Sequence, residues 1–159
     1  MSEAPNHAPA ATRSLHLEAG VERGAAIRAF VREAVAAFGG SPRVAEDLVQ
    51  AVDEAACNVA IHGYRGRDGE LDLEAASRDG RIEIRILDRA PVFDPTAAPD
   101  PDTTRAPVPT RPGGMGVGIH LVRTMTDAVR HHVRPGGGNE LVLIRSMDDG
   151  GRGEAEREA

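Results

Sequence analysis

The chain has 159 residues, of which 40% are hydrophobic and 28% charged, and its formal net charge is −6. This length suits one domain with a sizeable core, and the acidic balance argues against nucleic acid as the main partner. No apolar run is long enough to span a membrane, and the start of the chain lacks the apolar stretch of a signal peptide. Cys57 is the only cysteine, which excludes an internal disulfide and fits a reducing compartment. We therefore predict a cytoplasmic protein without a membrane segment.

The first half of the chain predicts one strand followed by two helices. Residues 1–13 are proline-containing and polar, and they are predicted to form a flexible arm. Alternation over Ser14–Glu18 indicates a strand. Apolar residues recur at helical spacing over Val21–Phe38, and two glycines then end that helix. Ser41 followed by proline is typical of an N-cap, and it begins a second predicted helix that ends near Gly63.

The second half predicts two hairpins separated by a long loop and a helix. Alternating apolar residues lie on both sides of Asp79-Gly80, which is a tight-turn signal and predicts the first hairpin. Most of the eleven prolines lie between residues 91 and 112, which predicts a long exposed loop. A helix is predicted over residues 119–125, and strands over 128–133 and 140–145 form the second hairpin.

This order of elements predicts an α+β fold. Two hairpins, one further strand and three helices would form a two-layer sandwich, with a mixed, mostly antiparallel sheet and the helices on one face. We assign the domain to residues 14–146. The glycine- and charge-rich residues 147–159 are predicted to be a disordered tail.

One pair of polar residues in the second predicted helix is a candidate site. Glu54 and Asn58 lie four residues apart, so they share a helix face, and both fall at the border of its apolar stripe. There a carboxylate can act as a base and an amide oxygen can hold a hard cation. Such pairs are also common on solvated helix faces, so this pair alone does not decide the function.

Two further segments are candidates for nucleotide contacts. The run Gly113–Gly118 opens onto a helix N-terminus, where free amides and the helix dipole attract phosphate; a glycine-rich hinge is the alternative. The loop before it, residues 94–112, is then interpreted as a lid. Asp88 ends a strand and could accept a hydrogen bond from the amine of adenine, or simply be a turn residue. His131 and His132 are adjacent on a strand and point to opposite faces, so we do not expect them to share a metal.

Taken in this order, the segments resemble the GHKL ATPase superfamily. Glu54-x-x-x-Asn58 resembles its N box, Leu87–Pro95 its adenine-reading box, and Gly113–Gly118 its second glycine box. The runs DEAACNVAIHGY and GGMGVGIHLVRTMTD are most similar to the small anti-sigma-factor serine/threonine kinases. The resemblance covers about residues 14–146 and implies the Bergerat ATP-binding fold.

The resemblance implies a role for each matching position in binding ATP and Mg²⁺. Glu54 would be the general base for the incoming hydroxyl, Asn58 would bind Mg²⁺, and Asp88 would receive the adenine amine. The family's acceptor is a Ser or Thr of a STAS-domain anti-anti-sigma protein, its other partner is a sigma factor, and its members are homodimers. Asn139 lies where the family has a residue near adenine. The backbone positions implied to wrap the triphosphate are Gly114, Met115, Gly116, Val117 and Gly118.

Two departures from the family pattern leave an alternative open. The family has glycines after the position of Asp88, whereas this chain has Arg89, Ala90 and Pro91. The fixed proline and the bulk of Arg89 predict weaker adenine binding, and Asn139 replaces a family threonine only in part. The alternative to a kinase is therefore a nucleotide-binding anti-sigma or adaptor module without phosphotransfer. A plain ATPase is a third reading, disfavoured because no transducer domain is present.

Overall fold

The computed structural model describes residues 11–97 and 115–148, with residues 115–117 described by their backbone alone. Five strands form one sheet in the order β1-β2-β3-β5-β4, and three α-helices cover one of its faces. This confirms the predicted α+β sandwich, with every neighbouring pair of described strands antiparallel. The strands are β1 Ala11–Glu18, β2 Glu70–Arg78, β3 Arg81–Asp88, β4 Ala128–Val133 and β5 Asn139–Ser146, and the helices are α1 Gly24–Ala37, α2 Pro42–Asn58 and α3 Met115–Met125.

Alternation along β3 places the core and one polar residue on the same face. Ile82, Ile84 and Ile86 are at most 1% exposed and pack against the helices. Asp88 continues the same period of two, so its carboxylate enters the layer between sheet and helices. It is 4% exposed, which makes it one of the few buried charged groups of the described chain.

Local signals at the helix ends act as the sequence predicts. The Val44 N–H donates to Ser41 Oγ at 3.2 Å, which caps α2. After α1, Gly39 has a φ of +84°, and the Gly40 N–H donates to the Val35 carbonyl at 2.9 Å. A left-handed glycine followed by a hydrogen bond that spans five residues is the Schellman motif, and it ends α1.

Several element boundaries differ from the prediction. β1 begins at Ala11, before the alternating residues, because the preceding residues also pair with β2. α2 ends at Asn58, and the chain continues as a π turn over Val59–Gly63. α3 begins at Met115, so the end of the glycine-rich run is helical. Residues 11–13, predicted as the end of a flexible arm, are therefore part of β1. The rest of that arm, residues 1–10, and residues 149–159 of the predicted tail lie outside the described residues.

A buried ion pair connects the last strand to the central helix. Arg145 is 1% exposed, and its Nη2 lies 3.0 Å from Asp47 Oδ2 on α2. The pair holds α2 over the end of β5. None of the helices in the described ranges is both long and apolar enough to cross a bilayer.

Candidate functional site

The acid–amide pair of α2 lies on an open edge of that helix. Glu54 and Asn58 are both half-buried, and neither side chain has a hydrogen-bond or ion-pair partner among residues 11–97 and 115–148. The neighbouring acid differs, because Asp53 Oδ1 lies 3.2 Å from Arg28 Nη1 of α1. Of the two adjacent carboxylates, Glu54 is therefore the one available to a ligand.

Gly118 of α3 faces this pair directly. A Cβ atom built on Gly118 would lie 3.1 Å from Glu54 Oε2, and 3.4 and 3.5 Å from the side-chain nitrogen and oxygen of Asn58. The glycine therefore lets the backbone of α3 approach the two polar groups without an intervening side chain. The structure brings together the two motifs that sequence reasoning placed in one site.

The end of the glycine-rich run is the first turn of α3 rather than a loop. Met115, Gly116 and Val117 are helical, so their N–H groups belong to the orphan donors at a helix N-terminus. Such donors and the helix dipole form an anion site. Gly114 and nearly all of the predicted lid, residues 98–112, lie outside the described residues.

A cavity of about 240 Å³ extends from this junction to the ends of β3 and β5. Its walls are mostly apolar and come from α2, α3 and β5. Val92 and Phe93 line it from the segment after β3 and are 54% and 47% exposed. Polar groups converge at one end, and these are Asp88, His131 and Asn139.

Among the described residues, only one of the two carboxylate oxygens of Asp88 accepts hydrogen bonds. Its Oδ1 accepts hydrogen bonds from the Ala90 N–H and from Asn139 Nδ2, both at 2.9 Å. The described residues supply no bond to Oδ2, yet they contain no fully buried side-chain polar atom without a partner. Oδ2 is therefore accessible, and it offers the cavity a hydrogen-bond acceptor.

Weaker adenine binding stays a prediction, but the side chain of Arg89 does not project into the cavity. Arg89 does not line the cavity, since its Nη1 donates to the carbonyls of Gly137 at 2.9 Å and Pro135 at 3.3 Å in the turn between β4 and β5. Ala90, which stands where the family has glycine, is 3% exposed and packs against Gly63. Of the three residues that replace the family's pattern, Arg89 is thus turned away from the cavity, whereas Ala90 and Pro91 line it.

The turn between β4 and β5 lies against the segment that carries Asp88. A Cβ atom built on Gly138 would lie 2.2 Å from the Asp88 carbonyl oxygen, and the φ of Gly138 is +100°. Only glycine satisfies both conditions without a shift of the backbone. Arg134 Nη1 also donates to the Asp88 carbonyl, at 2.9 Å. The turn therefore holds the backbone that orients the carboxylate.

Asn139 and His131 complete this end of the cavity. Asn139 is 7% exposed, and its Oδ1 accepts from the Phe93 N–H at 2.9 Å and lies 2.8 Å from His131 Nε2. Sequence reasoning assigned Asn139 to the site but missed His131. The signal was present in the hairpin register. Val133 pairs with Asn139, so His131, two residues before Val133 on the same strand, lies diagonally from Asn139 on the same face of the sheet. His132 points to the opposite, exposed face, as predicted.

Two other cavity residues were also missed. His62 belongs to the π turn that follows Asn58, and Arg65 follows it at a φ of +54°. π turns and left-handed non-glycine residues concentrate at functional sites. The Tyr64 hydroxyl supports this segment, since it donates to the Glu70 carbonyl and accepts from the Arg89 N–H, both at 2.7 Å.

Comparison with known proteins identifies the family. Residues 17–145 match the model of the histidine kinase-like ATPase domain. The chain belongs to this family, in the branch of the anti-sigma-factor kinases. ATP binding is the property this family implies.

Similar relatives support this family assignment. An anti-sigma F factor of Clostridium beijerinckii is 35% identical over 132 residues, which cover 76% of this chain and 86% of that protein. The serine-protein kinase RsbW of Bacillus pumilus is 37% identical over 98 residues, covering 57% and 59%. A solved structure of the RsbU and RsbW domains of a Mycobacterium tuberculosis protein has a TM-score of 0.59 at 19% identity, over 87% of this chain and 32% of that one. The last likeness shows the fold.

Proposed function

We propose that this domain, residues 14–146, is an ATP-dependent serine/threonine protein kinase and an anti-sigma factor. It phosphorylates a STAS-domain anti-anti-sigma partner, holds a sigma factor, and acts as a cytoplasmic homodimer. The observation that carries the proposal is the bare backbone of Gly118 against Glu54 and Asn58, two polar side chains without partners in the described structure. The names of the relatives, anti-sigma F factor and serine-protein kinase RsbW, support the same reading.

The base of ATP occupies the end of the cavity that contains Asp88. Asp88 Oδ2 accepts the exocyclic amine of adenine, since an ionised carboxylate is an acceptor only. Val92 and Phe93 contact the ring at the cavity mouth, where they are now exposed. Asn139 lies beside the adenine and positions the carboxylate through its hydrogen bond to Oδ1.

The phosphates lie between α2 and the N-terminus of α3. Asn58 is the residue that would hold Mg²⁺, through its side-chain oxygen, since this ion prefers oxygen ligands and usually binds together with substrate phosphates. The described residues contain no cluster of three or more His, Cys, Asp or Glu that could hold a metal without such help. When bound, Mg²⁺ neutralises charge on the phosphates. The backbone amides of Gly114, Met115, Gly116 and Val117 wrap the triphosphate, and Gly118 contributes by letting the backbone of α3 come close to it.

Glu54 is the general base for the acceptor hydroxyl. It lies on the same helix edge as Asn58, one turn away, and its Oε2 faces the bare backbone of Gly118. In phosphoryl transfer the protein mainly positions the reactants and stabilises charge. Glu54 orients the serine or threonine hydroxyl of the partner and takes its proton as the phosphate is transferred.

Transfer of radiolabel from ATP to a purified STAS-domain partner tests this function. Glu54→Gln should bind ATP with unchanged affinity and lose label transfer by about 10²–10⁴-fold, the range for a general base. Asp53→Asn is the matched control, because this adjacent carboxylate is paired with Arg28 and should transfer label normally. Unchanged transfer in Glu54→Gln, or equal loss in both variants, would remove Glu54 from the reaction.

The alternative is an anti-sigma or adaptor module without phosphotransfer. It is favoured by Ala90, which stands where the family has glycine in the segment next to adenine. Stable capture of a sigma factor without label on any STAS partner, in the presence of ATP and Mg²⁺, would support this alternative. Calorimetry on Asn58→Ala then adds a second readout, since loss of Mg²⁺-dependent affinity shows that the nucleotide site is used in either case.

A further inference from the structure

One hydrogen-bond chain at the floor of the cavity is not explained by the roles given above. His131 Nε2 lies 2.8 Å from Asn139 Oδ1, and Asn139 Nδ2 lies 2.9 Å from Asp88 Oδ1. The His131 side chain is 6% exposed and lines the cavity. On its other side, Nδ1 lies 3.8 Å from Asp94 Oδ1. A histidine on β4 is thus linked through one amide to the carboxylate of β3.

The donors and acceptors available on Asp88, Asn139 and His131 fix the direction of each hydrogen bond between them. Asp88 Oδ1 can only accept, so the amide of Asn139 must turn its NH₂ group towards Asp88. Its oxygen then faces the Phe93 N–H and His131 Nε2. Because that oxygen is itself an acceptor, Nε2 of His131 must carry a hydrogen. Both the neutral Nε2–H tautomer and the imidazolium meet this condition.

These hydrogen bonds allow only one orientation of the Asn139 amide and of the Asp88 carboxylate. Asn139 donates to Asp88 Oδ1 and to the Pro91 carbonyl at 3.2 Å, and it accepts from two donors. A rotated amide would put its oxygen against the carboxylate and its NH₂ against two N–H groups, so the rotation loses every bond. Asp88 is therefore held with Oδ1 occupied and with Oδ2 directed to the cavity as an acceptor.

We propose that His131 is a positioning residue that, through Asn139, makes the cavity selective for a purine with an amine at C6. A guanine base presents a carbonyl oxygen where adenine presents its amine, and that oxygen would face the fixed acceptor of Asp88. This inference rests on the proposed nucleotide site. It adds the residue outside the recognised motifs that holds the acceptor in place.

Calorimetric titration with non-hydrolysable ATP and GTP analogues tests the selectivity. His131→Phe keeps a ring in the cavity wall but removes the donor, and it should weaken binding of the ATP analogue by about three- to tenfold, the value of one hydrogen bond. The ratio of ATP to GTP affinity should fall with it. His131→Gln, whose amide can donate to Asn139, should retain both the affinity for the ATP analogue and the ratio of ATP to GTP affinity. His132→Phe changes the exposed neighbour and should leave both unchanged.

The outcomes separate this inference from the proposed function. If the unaltered protein binds neither analogue, the nucleotide site itself is wrong. If it binds ATP while His131→Phe keeps its affinity and selectivity, or His131→Gln is impaired equally, His131 only packs and the inference fails. A long-range ¹H–¹⁵N spectrum of the ligand-free protein gives a readout independent of nucleotide. It should show a hydrogen on Nε2 of His131, and the Nδ1–H tautomer would overturn the proposed chain.

Discussion

Replacing Gly118 with alanine should separate stability from catalysis in this domain. Gly118 lies inside α3 and does not have a left-handed backbone, so alanine can adopt its conformation. Alanine is favoured over glycine in a helix interior by about 0.8–1.0 kcal/mol. The added methyl would meet Glu54 Oε2 at 3.1 Å, a close contact that the end of a flexible side chain relieves by moving a few tenths of an ångström. We therefore expect the free energy of unfolding to stay constant or rise by up to about 1 kcal/mol.

The same methyl should damage phosphotransfer. It occupies the space where the backbone of α3 faces Glu54 and Asn58, and it moves the carboxylate proposed as the base. A misplacement of about 1 Å can cost roughly 10²-fold in rate, so a smaller shift predicts a loss of about tenfold or more. Urea unfolding measures the stability, and the rate of label transfer to a STAS-domain partner measures the reaction.

A double-mutant cycle identifies the cause of that loss. In a Glu54→Gln background, Gly118→Ala should cost little more, because the displaced group no longer acts. Normal transfer by Gly118→Ala alone would refute the argument that this glycine keeps the space beside Glu54 open. A loss of stability above about 1 kcal/mol would refute the assignment of Gly118 to a regular, unstrained helix.

Three other expectations follow from single contacts. Asp47→Ala should lower the free energy of unfolding in urea by about 3 kcal/mol, because it removes the carboxylate from the buried guanidinium of β5. Burial, and then neighbouring carboxylates that include Glu54, raise the pKa of the Cys57 thiol. Glu54→Gln should therefore lower that pKa and speed alkylation of Cys57 at about pH 8. An unchanged alkylation rate would contradict the proximity of Glu54 to Cys57. The His16 imidazole donates a hydrogen bond to the Asp72 carboxylate, and this bond, followed by the charge of Asp72, raises the pKa of His16. This stabilisation is full below about pH 6.5 and is lost as the pH rises through the raised pKa, so Asp72→Asn should lower the urea midpoint near pH 6 but not near pH 9.

Local patterns in the sequence were enough to predict the layers of the fold. The alternation of Ile82, Ile84 and Ile86 is the buried face of β3, and Asp79-Gly80 is the turn before it, with φ of +50° and +73°. These features depend on residues close in sequence, which is why a period of two and a turn dipeptide predict them. The pairing of the motifs in Glu54, Asn58 and Gly118 came from the family resemblance, not from periodicity.

What the sequence did not predict depends on contacts between distant segments. The direction of Arg89 is set by carbonyls in the turn between β4 and β5, which no local pattern specifies. The π turn at Val59–Gly63 is closed by the Tyr64 N–H, which donates to the Val59 carbonyl at 2.8 Å, and Tyr64 itself is held by the bond between its hydroxyl and the distant Arg89 N–H. His131 was treated only as half of a histidine pair, because its partner Asn139 becomes visible only when the hairpin register is counted.

The two ends of the candidate site differ in how far the protein has satisfied their polar groups. At the proposed adenine end, Asn139 bonds to both Asp88 and His131, so this end is formed before a ligand arrives. At the junction of α2 and α3, Glu54 and Asn58 have no partner in the described chain. Groups that are already fixed contribute mainly to ground-state affinity and selectivity, whereas groups that gain partners only from the reacting phosphates and hydroxyl can act more strongly in the transition state. Substitutions at the proposed adenine end should therefore change Kd and base preference. At the helix junction, substitutions of Glu54 and Gly118 should change kcat, whereas Asn58→Ala should also weaken Mg²⁺-dependent binding.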